Sequence, residues 1–339
     1  MIVIRASFIL FMLLLSGCEQ ASSHQQRFLQ FGTLIDVTVI SDADQAMNAF
    51  DQIEVYLKQR HQQWHGWEDG TLKQFNDALS QQPQAGHPIP EILQTLIESS
   101  QYYFDLTDGL FNPAMGKLIA AWGFHDQSEP DRLTIQRMQN NIPGMDNLKI
   151  KEQLAYSGHP DLQLDFGAIA KGLAVKEIAQ MLNQSNIRDF IINAGGDIYA
   201  QGNKPRNKLW RVAIEDPFEP GIVTSLEIKE NTSIFTSGNY QRFFKDEDGN
   251  IRHHIINPKT GAPSATISSA TVIHQDPMIA DIAATVLMLT DIKEAKHMAQ
   301  RLKIIDYLII NEQKQVFASP SMLARLDLSS MKRFSVQAL

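Results

Sequence analysis

Downstream of residue 190 the chain passes through one short β-branched or aromatic segment after another, at 190–193, 210–214, 223–228, 239–244, 252–256 and 268–273, with turns rather than helices between them. Strands joined by a few residues must pair antiparallel, whereas parallel neighbours need a crossover of a dozen residues or more. Hairpins outnumber strand-helix-strand crossovers, which favours α+β over a doubly wound sheet. Asp248-Gly249 closes one hairpin between 239–244 and 252–256. Helical spacing occurs elsewhere: at 41–60, where Ala46, Phe50, Ile53 and Leu57 share a face behind a Ser41 or Asp42 cap, and at 90–106, 113–122, 168–182 and 278–289. Further strands are expected at 31–40, 162–166 and 306–310. Mixed elements in this order predict an α+β fold, with largely antiparallel sheets and packed helices. The linkers at 125–131 and 202–208 are too short to part domains, so one globular unit of two interlocked halves is expected.

The amino terminus reads as a targeting segment. Arg5 precedes an apolar run at 8–15 that is too short to span a bilayer. Leu15-Ser16-Gly17-Cys18 then matches the bacterial lipoprotein signal. Cys18 is the only cysteine in the chain, and acylation there accounts for it while leaving no thiol for disulfides or zinc. The expected division is a signal peptide at 1–17, a lipidated tether at 18–27 and a globular domain at 28–339, held on the periplasmic side of a bacterial membrane. Glu19, in place of the Asp that retains such proteins at the inner membrane, favours the outer one. The remainder has 43% hydrophobic residues, enough for a large core, and a net charge of -8, which argues against nucleic acid as a partner.

Several clusters could carry chemistry, though each alone has an ordinary structural explanation. His253-His254-Ile255-Ile256-Asn257-Pro258-Lys259-Thr260-Gly261 places two imidazoles before a forced turn, and Thr236-Ser237-Gly238-Asn239-Tyr240 is a second polar turn. Asp165-Phe166-Gly167-Ala168-Ile169-Ala170-Lys171-Gly172 runs through glycine into a helix whose first N–H groups favour anions, with Lys171 adding charge. The Ala168 carbonyl there could serve a hard cation. Asn193-Ala194-Gly195-Gly196-Asp197 permits close backbone approach or is a plain turn. Asp281 and Thr285 present oxygens on one helix face, as Mg²⁺ requires. Trp64, Trp67, Phe111 and Trp122 could sandwich a planar ring or fill the core. Together they point to a phosphorylated substrate handled with a metal ion.

These pieces, in this order, resemble the ApbE family of FAD:protein FMN transferases. The resemblance is carried by Phe31-Gly32-Thr33, Leu72-x-x-Phe75-Asn76, Asp108-Gly109-Leu110-Phe111-Asn112-Pro113 with Trp122-Gly123-Phe124, and the stretches 165–172, 193–197, 236–240, 254–261 and 280–285. It implies an ApbE-like (T-fold-like) architecture and transfer of FMN from FAD to a Ser or Thr hydroxyl of an exported protein, with release of AMP. It further implies that Leu34, Leu110, Phe111, Asn112, Asp165, Lys171 and Ile256 contact FAD, with Trp67, or alternatively Trp64, as the stacking aromatic. Mg²⁺ would be held by the Ala168 carbonyl, Asp281 and Thr285. His254 would act as base, with Asp281 as the alternative. The implied acceptors carry an Asp-x-x-[Ser/Thr]-Gly-Ala-[Ser/Thr]-like motif, as in exported subunits of Nqr or Rnf type redox pumps or related regulators. Asn112 and Asn257 stand where many members carry Asp, so neither position offers a base or an ionic metal ligand. The rival readings are an FAD pyrophosphatase, in which water replaces the hydroxyl, and an FAD-binding lipoprotein without chemistry.

Overall fold

The computed structural model describes residues 22–124, 129–228, 231–240, 243–245, 251–264 and 266–339. Cys18, the signal segment and the Asp248-Gly249 turn lie outside them. The first element is a hairpin of β1 (Ser22–Gln30) and β2 (Thr33–Ser41), paired from Ser22–Ser41 to Gln30–Thr33. Its two-residue turn, Phe31-Gly32, has positive φ at both positions (54° and 67°), the twist that tight hairpins favour. The 31–40 strand therefore begins two residues later than expected. Within the stretch expected as a tether at 18–27, the polar chain from Ser22 pairs its backbone with β2. Exposed polar side chains suit such an edge strand.

α1 (Ala43–Trp64) starts at Asp42, whose carboxylate accepts the Gln45 N–H at 2.8 Å. It buries Ala46, Ala49, Ile53 and Leu57, close to the face read from the sequence. α2 (Thr71–Gln81), β3 (His87–Pro88), α3 (Glu91–Leu106), α4 (Gly116–Ala121) and α5 (Arg132–Gln139) follow. β4 (Leu148–Lys151) and β5 (Leu154–Ser157) join β3 in a small sheet. The strand expected at 162–166 does not form; Gln163 makes a single bridge to Met115, which also delays the helix expected from 113 until Gly116.

α6 (Ala170–Gln184) leads into β6 (Phe190–Ala194), β7 (Asp197–Gln201), the hairpin β8 (Trp210–Glu215) with β9 (Ile222–Ile228), and β10 (Thr232–Gly238). Two short pairs, β11 (Phe243–Lys245) with β12 (Ile251–His253) and β13 (Ile256–Asn257) with β14 (Ala262–Pro263), precede β15 (Ile267–His274). The strand expected at 252–256 is thus broken at His254-Ile255. The chain ends with α7 (Pro277–Leu289), α8 (Ile292–Arg301), β16 (Asp306–Asn311), β17 (Gln315–Ala318), α9 (Pro320–Leu323) and β18 (Ser335–Ala338).

The main sheet has the order β1-β2-β6-β7-β10-β15-β16-β17-β18 and is antiparallel except between β17 and β18. Both of its faces are covered. Val37, Ile192, Phe235, Val272 and Ile309 join the buried faces of α1, α6 and α7 in one core. Their neighbours Ile234, Ile273, Leu308 and Ile310 meet the β8–β9 hairpin and Met322 in a second. The fold is α+β, as the turn-linked strands require.

Candidate active site

The site begins where α6 crosses α7. A Cβ on Gly172 would lie 2.7 Å from the Asp281 Cβ, the Met278 Cα and the Pro277 carbonyl oxygen, so only glycine permits the approach. That approach sets the Asp281 carboxylate over the first turn of α6, where Oδ2 accepts the Gly172 N–H at 2.8 Å. Ile169 at the N-cap has no side chain to do so. Helix geometry would aim the Gly172 N–H at the Ala168 carbonyl, four residues back; here it goes to Asp281 instead. Ala168 itself is half-buried in the segment leading into the helix.

Asp281 is 4% exposed. Burial pushes its carboxyl up to about 7, against the pull of Lys171; the Asp197 charge pushes the same way as burial, and the Gly172 N–H opposes it. Thr285, one turn along the same face of α7, has its Oγ1 3.2 Å from the Ser237 Oγ at the end of β10. Lys171 reaches across to Asp197, whose Oδ2 is bonded to Nζ. The other oxygen of Asp197 accepts the Thr236 N–H at 3.1 Å. Asp197 is 2% exposed, and it follows a Gly195-Gly196 turn with φ of 68° and 98°. From sequence the 193–197 stretch is a turn; its carboxylate acquires a role only once Lys171 stands opposite. The Thr236-Ser237-Gly238 stretch, expected as a turn, is the end of a central strand paired with β15.

The other expected residues lie on segments fastened to this centre. Leu34 is 46% exposed on β2, beside Thr33, which a Cβ on Gly195 would strike. Asp165 donates its N–H to the Pro113 carbonyl at 2.8 Å, tying 110–113 to the approach to α6, and its Oδ1 accepts the Gly167 N–H at 2.8 Å. Asn76 holds Leu164 through both of its amide atoms, at 2.8 and 2.9 Å. Asn112 braces the turn, donating to the Pro143 carbonyl and accepting the Ala114 N–H. Leu110 and Phe111 are packed into the main core, and Ile256 into a small cluster with Met115, Leu118, Ile135 and Met138. The side chains of these three are thus committed to packing. Trp64 is buried with its Nε1–H on the Ile92 carbonyl, whereas Trp67 is half-buried.

The two adjacent histidines differ sharply. His253 is 4% exposed; its Nε2 bonds the Ser264 carbonyl, Nδ1 accepts the Ile255 N–H at 3.4 Å, and burial lowers its affinity for a second proton. His254 follows the end of β12 and is half-buried. The segment is tied to α7 by Ser264, whose Oγ donates to the Met288 carbonyl at 3.1 Å.

The ApbE family model matches residues 31–309. An FAD:protein FMN transferase of Rhodobacter capsulatus is 33% identical over 311 residues, which are 89% of this chain and 58% of that protein, so the chain spans little more than half of that relative's length. An FAD:protein FMN transferase of Vibrio cholerae is 29% identical over 296 residues, 82% of this chain and 84% of that one. Among solved structures, the ApbE protein of Thermotoga maritima superposes with a TM-score of 0.80 at 24% identity, over 90% of this chain and 99% of that one. The flavin transferase ApbE of Vibrio cholerae gives 0.76 at 24% identity, over 90% and 99%. With the family model reaching from the tip of the first hairpin to β16, and the same fold in these solved structures, the chain belongs to the ApbE family.

Proposed function

We propose that this protein is an FAD:protein FMN transferase acting on exported acceptors. The observation that carries this reading is the buried Asp281 carboxylate, set against the first turn of α6 with Lys171 beside it. A carboxylate that burial pushes to about 7 lacks positive charge. Asp281, the Thr285 hydroxyl and the Ala168 carbonyl form a hard-oxygen set that fits Mg²⁺, which takes few protein ligands and leaves the rest to phosphate and water. When bound, Mg²⁺ would supply charge that neutralises a diphosphate.

The chain's own residues then have distinct tasks. Lys171, oriented by Asp197, and the α6 amides face the anionic diphosphate of FAD. Trp67 and Leu34 offer surface to its rings, and the 110–112, 165 and 256 segments supply further contacts. The Ser or Thr oxygen of the acceptor attacks the flavin-side phosphorus, and the bond from that phosphorus to the bridging oxygen breaks. AMP leaves with the bridging oxygen, and His254 takes the hydroxyl proton, as an imidazole can near neutral pH.

The test is incubation of the protein with FAD, Mg²⁺ and an exported acceptor bearing the Asp-x-x-[Ser/Thr]-Gly-Ala-[Ser/Thr]-like motif, read by intact mass and by AMP release. An acceptor heavier by one FMN less one water, with AMP in equal amount, is expected. Free FMN and AMP with an unmodified acceptor would make the protein a pyrophosphatase, and no turnover would leave it a flavin carrier.

A further inference from the structure

Away from this site, the carboxyl end of α1 brings together His61 in its last turn, His65 as its C-cap and Glu68 just beyond. One ligand-capable atom from each lies within 4.8 Å of the other two. We propose that these residues form a second cation site, for a divalent transition ion of the Zn²⁺ or Ni²⁺ type, distinct from the oxygen set on α7.

Five features carry this. His61 and His65 are one helical turn apart on one face, the spacing by which paired histidines grip zinc. Their rings already stand 5.3 Å apart, and the His65 Nε2 is 3.8 Å from the Glu68 Oε1. Two imidazoles and a carboxylate are a three-ligand zinc set with one position left for water, and imidazole selects Zn²⁺ or Ni²⁺ over Mg²⁺. The cluster sits at the carboxyl end of a long helix, where the backbone dipole favours positive charge. An ion can also enter, since the His65 and Glu68 side chains are 28% and 68% exposed.

The same geometry defines what the ion displaces. The His61 Nδ1 accepts the Phe31 N–H at 3.2 Å. The His65 Nδ1 accepts the N–H groups of Glu68 at 2.9 Å and Trp67 at 3.3 Å. Each neutral ring therefore carries its proton on Nε2. Coordination through Nε2 requires that proton to pass to Nδ1, by way of water and with no net release. Nδ1 then ceases to accept, and the amides of Phe31, Trp67 and Glu68 lose that acceptor. Ion and amide contacts are alternatives, so occupancy loosens the tip of the first hairpin and the segment bearing Trp67. Neither step depends on the flavin-transfer reading.

The untagged full chain is titrated with Zn²⁺ alone, by calorimetry and tryptophan fluorescence, without FAD. One saturable Zn²⁺ site is expected, insensitive to a large excess of Mg²⁺ and retained in Asp281→Asn. His61→Gln and His65→Gln should each weaken it by more than the roughly ten- to hundredfold that loss of an outer-shell partner costs. Zinc-edge X-ray absorption of the unmutated protein, which needs no variant to fold, should show imidazole in the nearest shell. Absence of saturable binding would overturn the proposal. So would binding unchanged in the double His61→Gln, His65→Gln variant, binding lost in Asp281→Asn, or a nearest shell of oxygen alone.

Discussion

Asp281 is held where its charge is least welcome in the absence of a cation. Its usual carboxyl value of 3.8 rises to about 7 in the fold, chiefly through burial. The folded state therefore holds the proton more tightly than the unfolded state between about pH 4 and 7. In the metal-free protein, this residue's contribution to stability is full below that window and is lost as pH rises through it. Asp281→Asn keeps an oxygen for the Gly172 N–H but carries no charge. The variant should melt higher than wild type at pH 8 in chelator, and it should lack the rise in Tm with Mg²⁺ that the proposed site predicts for wild type. A thermal scan against pH, with and without Mg²⁺, checks both, and an Asn variant that Mg²⁺ stabilises as much as wild type would move the metal elsewhere. The histidine pair separates chemistry from structure. His254→Ala should lower single-turnover transfer about a hundred- to ten-thousand-fold while changing FAD binding only a few-fold. β12 ends at His253, which is buried with both ring nitrogens bonded to backbone, so its removal should have a mild effect on chemistry. Burial adds a stability effect: both of its nitrogens hold backbone groups, so His253→Ala should cost about 1–3 kcal/mol by urea unfolding.

Among the elements, the α6–α7 crossing is the most exacting. Gly172→Ala must push Asp281, Met278 or Pro277 away from contacts that would be 2.7 Å. Overpacking of this kind costs about 1–3 kcal/mol, and the Gly172–Asp281 bond moves with it. The expected variant is folded but less stable in urea, with a weakened Mg²⁺ response; wild-type behaviour in both would show that the helices need not approach so closely. The sequence made α1 and α7 legible because long helices repeat their apolar residues every turn. It made Gly195-Gly196 legible because a glycine pair takes positive φ at both positions of a turn without steric cost. It hid the end of β10. Thr236, Ser237 and Gly238 are small and polar, as a turn would be, and they are strand only because β15 pairs with them and Asp197 holds the Thr236 N–H. Asp197 was illegible for a related reason: its partner Lys171 lies on another element, and no local pattern joins them.

At the scale of the whole molecule, the distance from lipid to fold is short. If Cys18 is the acylated residue, as we propose from Leu15-Ser16-Gly17-Cys18, only Glu19, Gln20 and Ala21 separate it from β1 at Ser22. At no more than about 3.6 Å per residue, those four steps span roughly 14 Å at full extension. The sheet edge is then held close to the bilayer surface, and an acceptor must present its hydroxyl within reach of a body that cannot swing far. More than one acyl chain gives stable attachment, whereas a single chain gives marginal binding. Cys18→Ser should therefore move the protein from the membrane fraction to the soluble one. Its Tm should not change, because the first buried side chain of β1 is Phe28, well beyond the substitution. Transfer to a soluble fragment of the acceptor should likewise be unaffected, while transfer to the membrane-embedded acceptor should slow as the two are no longer concentrated on one surface. Detergent partition with intact mass of the mature amino terminus reads the anchor directly, and a wild-type protein that partitions into the aqueous phase without acyl groups would end the proposal.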